Sequence, residues 1–501
     1  MSIKTNDNNI EDTECMEESH KITWGWILGL TLMALLLRLI GSNSGLWLDE
    51  IYSVVNQFRF SPLQLLVTYV GDNQHPLYAL LASVSISVFG EQPWVVRFPA
   101  IIFGVASIPA IYSLGRRVGD DKEALLAAAL LAVSYHHVWF SQNARGYSAI
   151  ALAAILCTDR FLNLISKKRQ SDVFLFAIIV ALGCYAHLTM VFIVIGQFLA
   201  FLLWLLLLRD NDARMNSWQL PIQAFVLSGL LTMAFYMPIL SQVVDYFVNK
   251  PSGMEELSTH AWALAEALRS LEIGFGGGTF LLAGGLITLV GVGSFYKRNK
   301  LALAIFISSI LVTFLVAFFA RGTMYPRFFF FLAGFFILIG VRGVMVTTSF
   351  CAKFFFPRNQ HHKVVQQLPL LVMLVIILVS AFSMLRNYQY PKMNFEGAIE
   401  WLETEVGQSG IIVTAGVAAW PYRVYYGVDW PEVKTAEDID RLKSPDSQLW
   451  MVYTFRRYMQ QSAPEVSAII ERSCTEQKRF HGTLGGGDIV VCRLDFVDKR
   501  S

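Results

Sequence analysis

Long apolar segments alternate with short polar clusters along the chain from Thr23 to Arg386. A helix needs about 20 largely apolar residues to cross the hydrocarbon core of a bilayer, and segments of this length recur throughout the region. The pattern predicts about eleven membrane-spanning helices, at residues 23–41, 95–114, 123–140, 147–165, 172–188, 189–208, 217–240, 277–295, 301–320, 328–346 and 368–386.

The pattern changes after Pro391, where charged residues mix with short apolar runs, as in a small water-soluble domain. The run Gly485–Gly487 predicts a hairpin turn rather than a phosphate loop, because no helix start follows it. Amphipathic periodicity predicts helices at residues 394–405 and 463–472. Short apolar runs predict strands at residues 410–414, 448–455 and 488–494.

Residues 1–22 are polar and acidic. Because a cleaved signal peptide begins with basic residues, we expect a disordered cytoplasmic tail followed by an uncleaved signal anchor. Arg38 lies near the end of this first span, where its side chain is expected to extend to the interface. The predicted organisation is a tail over 1–22, an all-α membrane domain over 23–390 and a small extracytoplasmic α/β domain over 391–501.

Basic residues decide the orientation of the predicted spans, because positively charged loops resist translocation. All the basic clusters lie on one side only if the short apolar segment 77–90 lies along the outer interface instead of crossing the membrane. The tail is then cytoplasmic, and the domain after Pro391 lies outside the plasma or inner membrane. The clusters are Arg116–Arg117–Lys122, Lys167–Lys168–Arg169, Arg209–Arg214, Lys297–Arg298–Lys300 and Lys353–Arg358–Lys363.

The composition agrees with this topology, since 54% of the residues are hydrophobic and only 16% are charged. The formal net charge is +2, and the basic residues form short clusters rather than one stripe. We therefore expect membrane lipid around the chain and no nucleic-acid partner.

The polar residues that could carry chemistry gather at the predicted outer loops and outer helix ends. The segment GLWLDEIY, residues 45–52, places Asp49 and Glu50 side by side just after the first span. Such a pair is unremarkable in a solvated loop. Alternatively, one carboxylate near the apolar boundary acts as a general base that removes a proton from an acceptor hydroxyl.

Four segments, LWLDEIYS, HPLYALLASVSISVFG, WVVRFPAIIFGVASIPAIYSLGRR and HHVWFSQNARGYS, follow one another between residues 46 and 148. Their order and spacing resemble the protein O-mannosyltransferase and aminoarabinose-transferase-like branch of the GT-C glycosyltransferases. The segments Tyr185–His187, Tyr325–Phe328 and Tyr390–Leu402 continue the resemblance, which covers nearly the whole chain and is strongest over 45–150.

The resemblance implies a GT-C fold with spanning and interfacial helices, and an inverting glycosyltransferase. Its sugar, a mannose-like hexose or an aminopentose, comes from a polyprenyl-monophosphate carrier. The acceptor is a hydroxyl of a protein, lipid or glycan on the non-cytoplasmic face. By the same analogy Asp49 is the general base, and Glu50 supports it by orienting it or by hydrogen bonding.

The departing lipid phosphate needs fixed positive partners, which arginine supplies because its planar guanidinium stays charged. Arg321 and Arg327 alternatively contact lipid headgroups at a helix end. Arg97 alternatively forms a structural ion pair with an outer-loop carboxylate. The full set of candidate substrate-binding residues is Tyr52, His75, Arg97, Arg145, Tyr147, His187, Arg321, Tyr325 and Arg327.

One position departs from the family pattern, since Asn143 stands where members commonly have a glutamate. Asparagine lacks the negative charge that hard divalent cations prefer in their ligands. We therefore expect transfer without a metal site or another cofactor. The alternative is a divalent metal ion held by Glu50 and a further carboxylate such as Asp72.

Two of the six cysteines, Cys474 and Cys492, share the predicted outer domain. An oxidising compartment permits a bridge between them. Their predicted positions do not align in a simple hairpin, so the sequence leaves this disulfide open.

Three other functions compete with the glycosyltransferase hypothesis. A non-catalytic assembly or sensor protein that uses the outer domain as a binding module would not need the LDE, HPLY and QNAR-type segments. A transporter or lipid flippase usually carries ionisable residues at mid-membrane and internal repeats, neither of which is evident in the sequence. A surface-polysaccharide polymerase or ligase uses diphosphate-linked donors, and the order of the four segments disfavours it.

Overall fold

The structure is a computed structural model that describes residues 24–208, 217–249, 265, 268–269, 278–319, 326–359, 362–406, 410–444 and 448–495. The predicted tail over 1–22 and the candidate residues Arg321 and Tyr325 lie outside these ranges.

All of the regular secondary structure that is described before Pro391 is helical. A π-helical turn, Val54–Phe58, continues the helix Leu48–Ser53, and a 3-10 helix, Pro326–Leu332, leads into the helix Ala333–Phe355. The helices are α1 Trp24–Leu39, α2 Leu48–Ser53, α3 Pro62–Val67, α4 Pro76–Phe89, α5 Pro93–Val118, α6 Asp121–Ala132, α7 Tyr135–Ser141, α8 Tyr147–Lys167, α9 Gln170–Ala186, α10 Met190–Leu207, α11 Gln219–Tyr236, α12 Leu240–Val248, α13 Gly278–Arg298, α14 Lys300–Phe319, α15 Ala333–Phe355, α16 Lys363–Ser383 and α17 Leu385–Gln389.

The starts of several helices follow from local sequence. α3, α4 and α5 each begin with proline, whose missing N–H costs nothing in the first turn and whose fixed φ suits a helix. The Asp120 side chain caps α6 by accepting from the Glu123 amide at 3.0 Å. Each of these residues lies between two apolar segments and therefore marks where a new helix begins.

A described helix, or the bent pair α6 and α7, overlaps each of the eleven predicted spans. Among the described residues, seven helices are long and apolar enough to cross a membrane, and an eighth span results if the pair α6 and α7, bent by 58°, counts as one. The apolar helices α1, α4 and α9 are shorter. The chain is therefore a multi-pass membrane protein, while the count of eleven spans stays a prediction.

Arg38 does not extend to the interface, and this expectation was wrong. Its side chain is fully buried, and it donates to the carbonyl oxygens of Ala34 at 2.9 Å and Ala132 at 3.2 Å and lies 2.7 Å from His137 Nδ1. Ala132 ends α6, where unpaired carbonyls carry partial negative charge. Arg38 therefore joins α1 to the bend between α6 and α7.

A further group of charges joins α5, α8 and α9, and its two carboxylates, Asp159 and Asp172, are buried. Asp159 accepts from Arg117 Nε at 2.6 Å and also binds Arg160, while Asp172 accepts from Arg160 at 3.4 Å. These carboxylates have cationic partners. The sequence did not reveal them because an isolated charge inside an apolar segment carries no sign of its partner.

The C-terminal region forms a five-stranded sheet with short helices. The strands are β1 Gly410–Ala415, β2 Glu432–Val433, β3 Gln448–Tyr453, β4 Cys474–Phe480 and β5 Ile489–Leu494, and the helices are α18 Phe395–Glu405, α19 Ala419–Val424, α20 Ala436–Leu442, α21 Arg456–Ser462 and α22 Pro464–Ser473. Strand β1 pairs in parallel with β2 and β3, and β5 pairs antiparallel with β3 and β4, giving the order β2-β1-β3-β5-β4.

The elements predicted for this region all occur, but the sequence missed β4. This strand lies at the edge of the sheet, and most of its residues are polar and exposed, so it lacks the alternation that marks a half-buried strand. Gly485–Gly487 lies in the connection of the β4–β5 hairpin, as predicted. With β4 in place, Cys474 and Cys492 lie on adjacent strands, 5.5 Å apart between Cα atoms, and form a disulfide.

Helices α10 and α14 approach closely at Gly196. A Cβ atom at this position would lie 2.5 Å from Ser309 Cα and 2.6 Å from Ser309 N, which are backbone atoms that cannot move aside. The Ser308 hydroxyl also donates to the Gly196 carbonyl at 2.6 Å. Small residues at such crossings let membrane helices pack and hydrogen-bond across the contact.

We predict that Gly196→Ala separates α10 from α14 and lowers the free energy of unfolding by roughly 1–3 kcal/mol. The matched control is Gly229→Ala in α11, because nothing lies within 4 Å of a Cβ atom there. Thermal unfolding of the purified protein in detergent compares the two variants. Equal stabilities would contradict the close crossing.

Candidate active site

The two adjacent carboxylates lie in the first turn of α2. Trp47 precedes the helix in extended backbone, and its amide donates to Glu50 Oε2 at 3.3 Å. Carboxylates are favoured here because the first N–H groups of a helix are unpaired and carry partial positive charge. Successive helical residues point about 100° apart, so Asp49 and Glu50 face different surroundings.

Glu50 is fully buried and forms two hydrogen bonds with Arg97. The guanidinium donates Nε to Oε1 at 2.9 Å and Nη2 to Oε2 at 2.6 Å, and neither side chain is exposed. The Ala144 amide donates to Oε1 at 2.7 Å. Burial opposes the charged form, but Arg97, Lys392 and the Ala144 amide outweigh it and hold the pKa of Glu50 below its usual range.

The remaining donors of Arg97 hold the loop before α2. Nη1 donates to the carbonyl oxygens of Ser42 at 2.9 Å and Ser44 at 2.7 Å, and Nη2 donates to that of Gly45 at 3.0 Å. The structure thus places Arg97 in an ion pair with the Glu50 carboxylate, in line with the second of the two interpretations of its role.

Lys392 belongs to this cluster, although the sequence did not indicate it. It lies between α17 and α18 and is buried, with its Nζ 4.0 Å from Glu50 Oε1 and 5.3 Å from the centroid of the Trp139 ring. The ammonium donates to the Gln142 carbonyl oxygen. In the sequence this lysine follows a proline in a linker, where a solvated charge is the ordinary expectation, so no local signal could have found it.

Asp49 is the more accessible carboxylate. Its side chain is 22% exposed, and Arg327 Nη1 donates to its Oδ2 at 3.0 Å. Arg327 lies 278 residues after Asp49 in the sequence. The fold therefore brings together two residues that were predicted separately as site residues.

Arg145 approaches the same region from the start of α8. It is 3% exposed, its Nη1 lies 3.3 Å from the Ser53 hydroxyl, and its guanidinium carbon lies 5.9 Å from the centroid of the Tyr147 ring. Among the described residues, its Nε has no hydrogen-bond partner. A buried, charged donor without a partner favours an anionic ligand at this place.

His75, Tyr147 and His187 form a cluster of rings beside Arg145. Ring centroids are 4.7 Å apart for His75 and His187, 5.4 Å for His75 and Tyr147, and 5.6 Å for Tyr147 and His187. Phe328, which follows Arg327, lies 6.1 Å from His187. The candidates Arg145, Arg327, His75, Tyr147 and His187 therefore surround one region.

His75 is neutral in this cluster. Burial, and then the positive charge of Arg145, hold its pKa well below the usual value. Its Nδ1 lies 3.1 Å from the Ala186 carbonyl oxygen, which can only accept, so Nδ1 carries the proton and Nε2 remains an acceptor. Gly146 permits this contact, because a Cβ atom there would lie 2.8 Å from His75 Nδ1 and 2.5 Å from the Ala186 oxygen.

The Tyr52 ring lies 5.8 Å from that of Trp420 in the C-terminal domain. This candidate therefore contacts the C-terminal domain from α2. Arg321 and Tyr325 lie outside the described residues.

The residues around Glu50 do not fit a divalent metal ion. Both Glu50 oxygens accept from Arg97, and the ammonium of Lys392 is close by. Asn143 is buried, and its Oδ1 accepts from the Trp47 indole at 3.3 Å. Asp72 accepts from the Tyr246 hydroxyl at 3.0 Å. A cation placed beside Glu50 would be repelled by the two positive side chains that already pair with it.

The family model for dolichyl-phosphate-mannose-protein mannosyltransferases matches residues 73–240. This stretch includes His75, Arg97, Arg145, Tyr147 and His187. No curated protein matches the sequence.

Solved structures similar to the chain are membrane glycosyltransferases at low sequence identity. The oligosaccharyltransferase of Archaeoglobus fulgidus in the apo form is 14% identical, with a TM-score of 0.52 over 89% of this chain and 71% of that one. AglB of the same organism, in complex with an inhibitory peptide and a dolichol-phosphate, is 14% identical, with a TM-score of 0.52 over 93% of this chain and 74% of that one.

ArnT from Cupriavidus metallidurans, bound to undecaprenyl phosphate, is 11% identical, with a TM-score of 0.50 over 94% of this chain and 98% of that one. Likenesses at this identity establish the fold, and the family model adds the resemblance over 73–240. The predicted resemblance is therefore confirmed: the chain has the fold of the GT-C glycosyltransferases, and its residues 73–240 match the mannosyltransferase family model.

Proposed function

We propose that the protein transfers a sugar from a polyprenyl-monophosphate carrier to a hydroxyl acceptor on the non-cytoplasmic face, with inversion and without a metal. The acceptor oxygen attacks the anomeric carbon, and its proton passes to Asp49. The bond between the anomeric carbon and the phosphate oxygen breaks, and the electron pair leaves with the polyprenyl phosphate. The sugar is a mannose-like hexose or an aminopentose, and the acceptor a protein, lipid or glycan.

The pairing of Asp49 with Arg327 carries this proposal. Of the two adjacent carboxylates, Glu50 already accepts two hydrogen bonds from Arg97 in a closed environment, whereas Asp49 is partly exposed and pairs with Arg327. A general base must reach the acceptor hydroxyl within hydrogen-bond distance, which solvent-accessible Asp49 can do. A bound anionic donor would compete for Arg327 and release the Asp49 carboxylate for this role.

Arg145 and Arg327 are the proposed partners of the departing phosphate. Preorganised cations stabilise charge that develops in the transition state, most strongly where water is excluded. The neutral ring cluster of His75, Tyr147 and His187 beside them supplies surfaces and hydrogen-bonding groups for a sugar. The polyprenyl phosphates in the complexes of AglB and ArnT support a lipid-phosphate ligand for this chain.

The outer location of the site rests on the Lys and Arg distribution and on the C-terminal domain. In most organisms disulfides persist in oxidising compartments, and Cys474 and Cys492 are bonded in this domain. The domain contacts α2 through the Tyr52 and Trp420 rings, so a domain outside the membrane implies a site on the same face.

We predict that Asp49→Asn lowers turnover by at least about 100-fold, because the amide cannot accept the proton. The assay measures transfer from radiolabelled undecaprenyl-phosphate sugars in membranes and contains EDTA, since the proposed reaction needs no metal. Asp429→Asn is the matched control, because that carboxylate is 96% exposed in the C-terminal domain. Parent-like turnover by Asp49→Asn would refute the base, and loss of parent activity in EDTA would refute metal independence.

We predict that Arg145→Met weakens binding of undecaprenyl phosphate at least about tenfold, equivalent to about 1.4 kcal/mol. The loss of a charge-assisted hydrogen bond to phosphate is the reason. Calorimetric titration in detergent measures the Kd, with Arg441→Met as the control because this arginine is exposed on α20. Unchanged affinity would remove Arg145 from the phosphate site.

We predict that a cysteine at position 429 reacts with an impermeant thiol reagent in intact cells and that one at position 168 does not. Both positions are exposed on the protein, and the proposed topology puts them on opposite sides of the membrane. The free cysteines are first replaced by serine. Labelling at 168 and protection at 429 would invert the topology.

A further inference from the structure

The segment Gln142–Arg145 presents groups to two parts of the proposed active site. Its Ala144 amide binds Glu50 at 2.7 Å, and its last residue, Arg145, reaches Ser53 in the helix that carries Asp49. The segment is a bend between α7 and α8, and several of its residues are fully or almost fully buried. Its position therefore determines where the proposed phosphate partner lies relative to the proposed base.

Three separate elements hold Gln142 in place. Its side-chain amide donates to the Arg38 and Ile40 carbonyl oxygens at 3.0 and 2.6 Å, and its Oε1 accepts from Asn387 Nδ2 at 2.7 Å. Its backbone carbonyl accepts from the Lys392 ammonium. Lys392 thus contributes the link from the C-terminal domain, while α1 and α17 contribute the others.

The same ammonium lies next to Glu50 and over the Trp139 ring. Lys392 is itself fixed by its backbone, because its carbonyl oxygen accepts from the Leu484 amide at 3.2 Å in the β4–β5 connection. Trp139 is tied to the same connection, since its indole donates to the Thr483 hydroxyl at 2.9 Å. The lysine is therefore held from the domain side and binds the membrane domain with its charged end.

We propose that protonated Lys392 is a positioning residue that locks the Gln142–Arg145 segment and the Asp49–Glu50 turn together when the C-terminal domain is docked. This inference rests on the proposed function for its catalytic consequence, but the lock itself is a property of the fold. Lys392 need not touch substrate, because it acts through Gln142 and Glu50.

A purely structural role does not explain a charged side chain here. Burying an ammonium is costly, and a well-packed apolar residue often gives equal or greater stability at such a position. Burial and the positive charge of Arg97 lower the pKa of Lys392 to about 7, with Glu50 opposing them. Glu50 on α2 and Arg97 on α5 are thus the charged groups that act on Lys392. The other contacts of Lys392 are uncharged: the Trp139 ring on α7, the Gln142 carbonyl oxygen in the bend after α7, and a backbone amide of the β4–β5 connection.

The sign of the effect on stability follows from this shift. Between pH 10.5 and about 7 the unfolded chain binds a proton at Lys392 that the folded chain does not, so the lysine reduces stability as the pH falls through that window. Lys392→Met removes this loss and should be at least as stable as the parent at pH 7. A drop in activity without a drop in stability then separates positioning from folding.

The test compares the full-length parent, Lys392→Met and Lys392→Arg, with Lys434→Met as the control because Lys434 is exposed in the same domain. We expect Lys392→Met to keep the Tm of the parent and to bind undecaprenyl phosphate with an affinity within about twofold of the parent. Its kcat should fall roughly 10–100-fold because the reacting groups are misplaced. Lys392→Arg should recover part of kcat and retain it above pH 7, where the parent loses activity as the lysine deprotonates.

Hydrogen exchange supplies a readout that does not depend on catalysis. The peptide containing Ala144 should exchange faster in Lys392→Met than in the parent, and equally in Lys434→Met. Unchanged exchange together with parent-like kcat overturns the proposal, as does a loss of kcat that follows a lower Tm. If the parent transfers no sugar from any undecaprenyl-phosphate donor, the proposed function fails, and the exchange of Ala144 still decides whether Lys392 forms the lock.

Discussion

The buried ion pair between Glu50 and Arg97 is the constraint on which the site depends. Each buried ion loses hydration worth several kcal/mol, and the pair is tolerated only where the geometry is good and further hydrogen bonds satisfy the remaining atoms. Here Arg97 donates to three carbonyl oxygens of the loop before α2, and Glu50 accepts from the Ala144 amide. Removing one partner leaves a buried charge, at a cost of about 3–5 kcal/mol.

This pair also determines what its neighbour can do. In a helix, residues next to each other in sequence face directions about 100° apart, so a buried Glu50 turns Asp49 toward the accessible side of α2. The two carboxylates thus have separate functions: one holds α2, α5 and the 142–145 segment together, and the other is left near Arg327. A solvated acidic loop, the competing interpretation of the LDE segment, would show neither arrangement.

Much of the fold could be predicted because it depends on local properties. A run of apolar residues is sufficient to mark an apolar helix, and proline or aspartate marks its start, so a described helix or bent helix pair overlaps each predicted span. Strand β4 was missed because a polar edge strand is held by its neighbour β5 and not by an apolar face. Arg38 was misjudged because its partners at Ala132 and His137 come from a distant part of the chain.

The candidate site shows the same division. The residue types of Asp49, Arg145, Arg327 and the ring cluster indicated chemistry, and the fold brings them together. Contacts between residues far apart in sequence decide which of the two carboxylates is buried. They also bring Lys392 into the cluster, where it donates to the Gln142 carbonyl oxygen. A single sequence carries no record of such pairs.

The charge balance of the assembled site gives a reason for this arrangement. The described carboxylates Asp49 and Glu50 are outnumbered by the cations Arg97, Arg145, Arg327 and Lys392. Under the proposed function, the donor is a phosphodiester with a single negative charge, whereas the departing polyprenyl phosphate approaches the charge of about −1.5 to −2 that a phosphate monoester carries at pH 7. Surplus positive charge therefore stabilises the departing phosphate more than the bound donor, and an interaction that strengthens toward the transition state is the kind that accelerates a reaction.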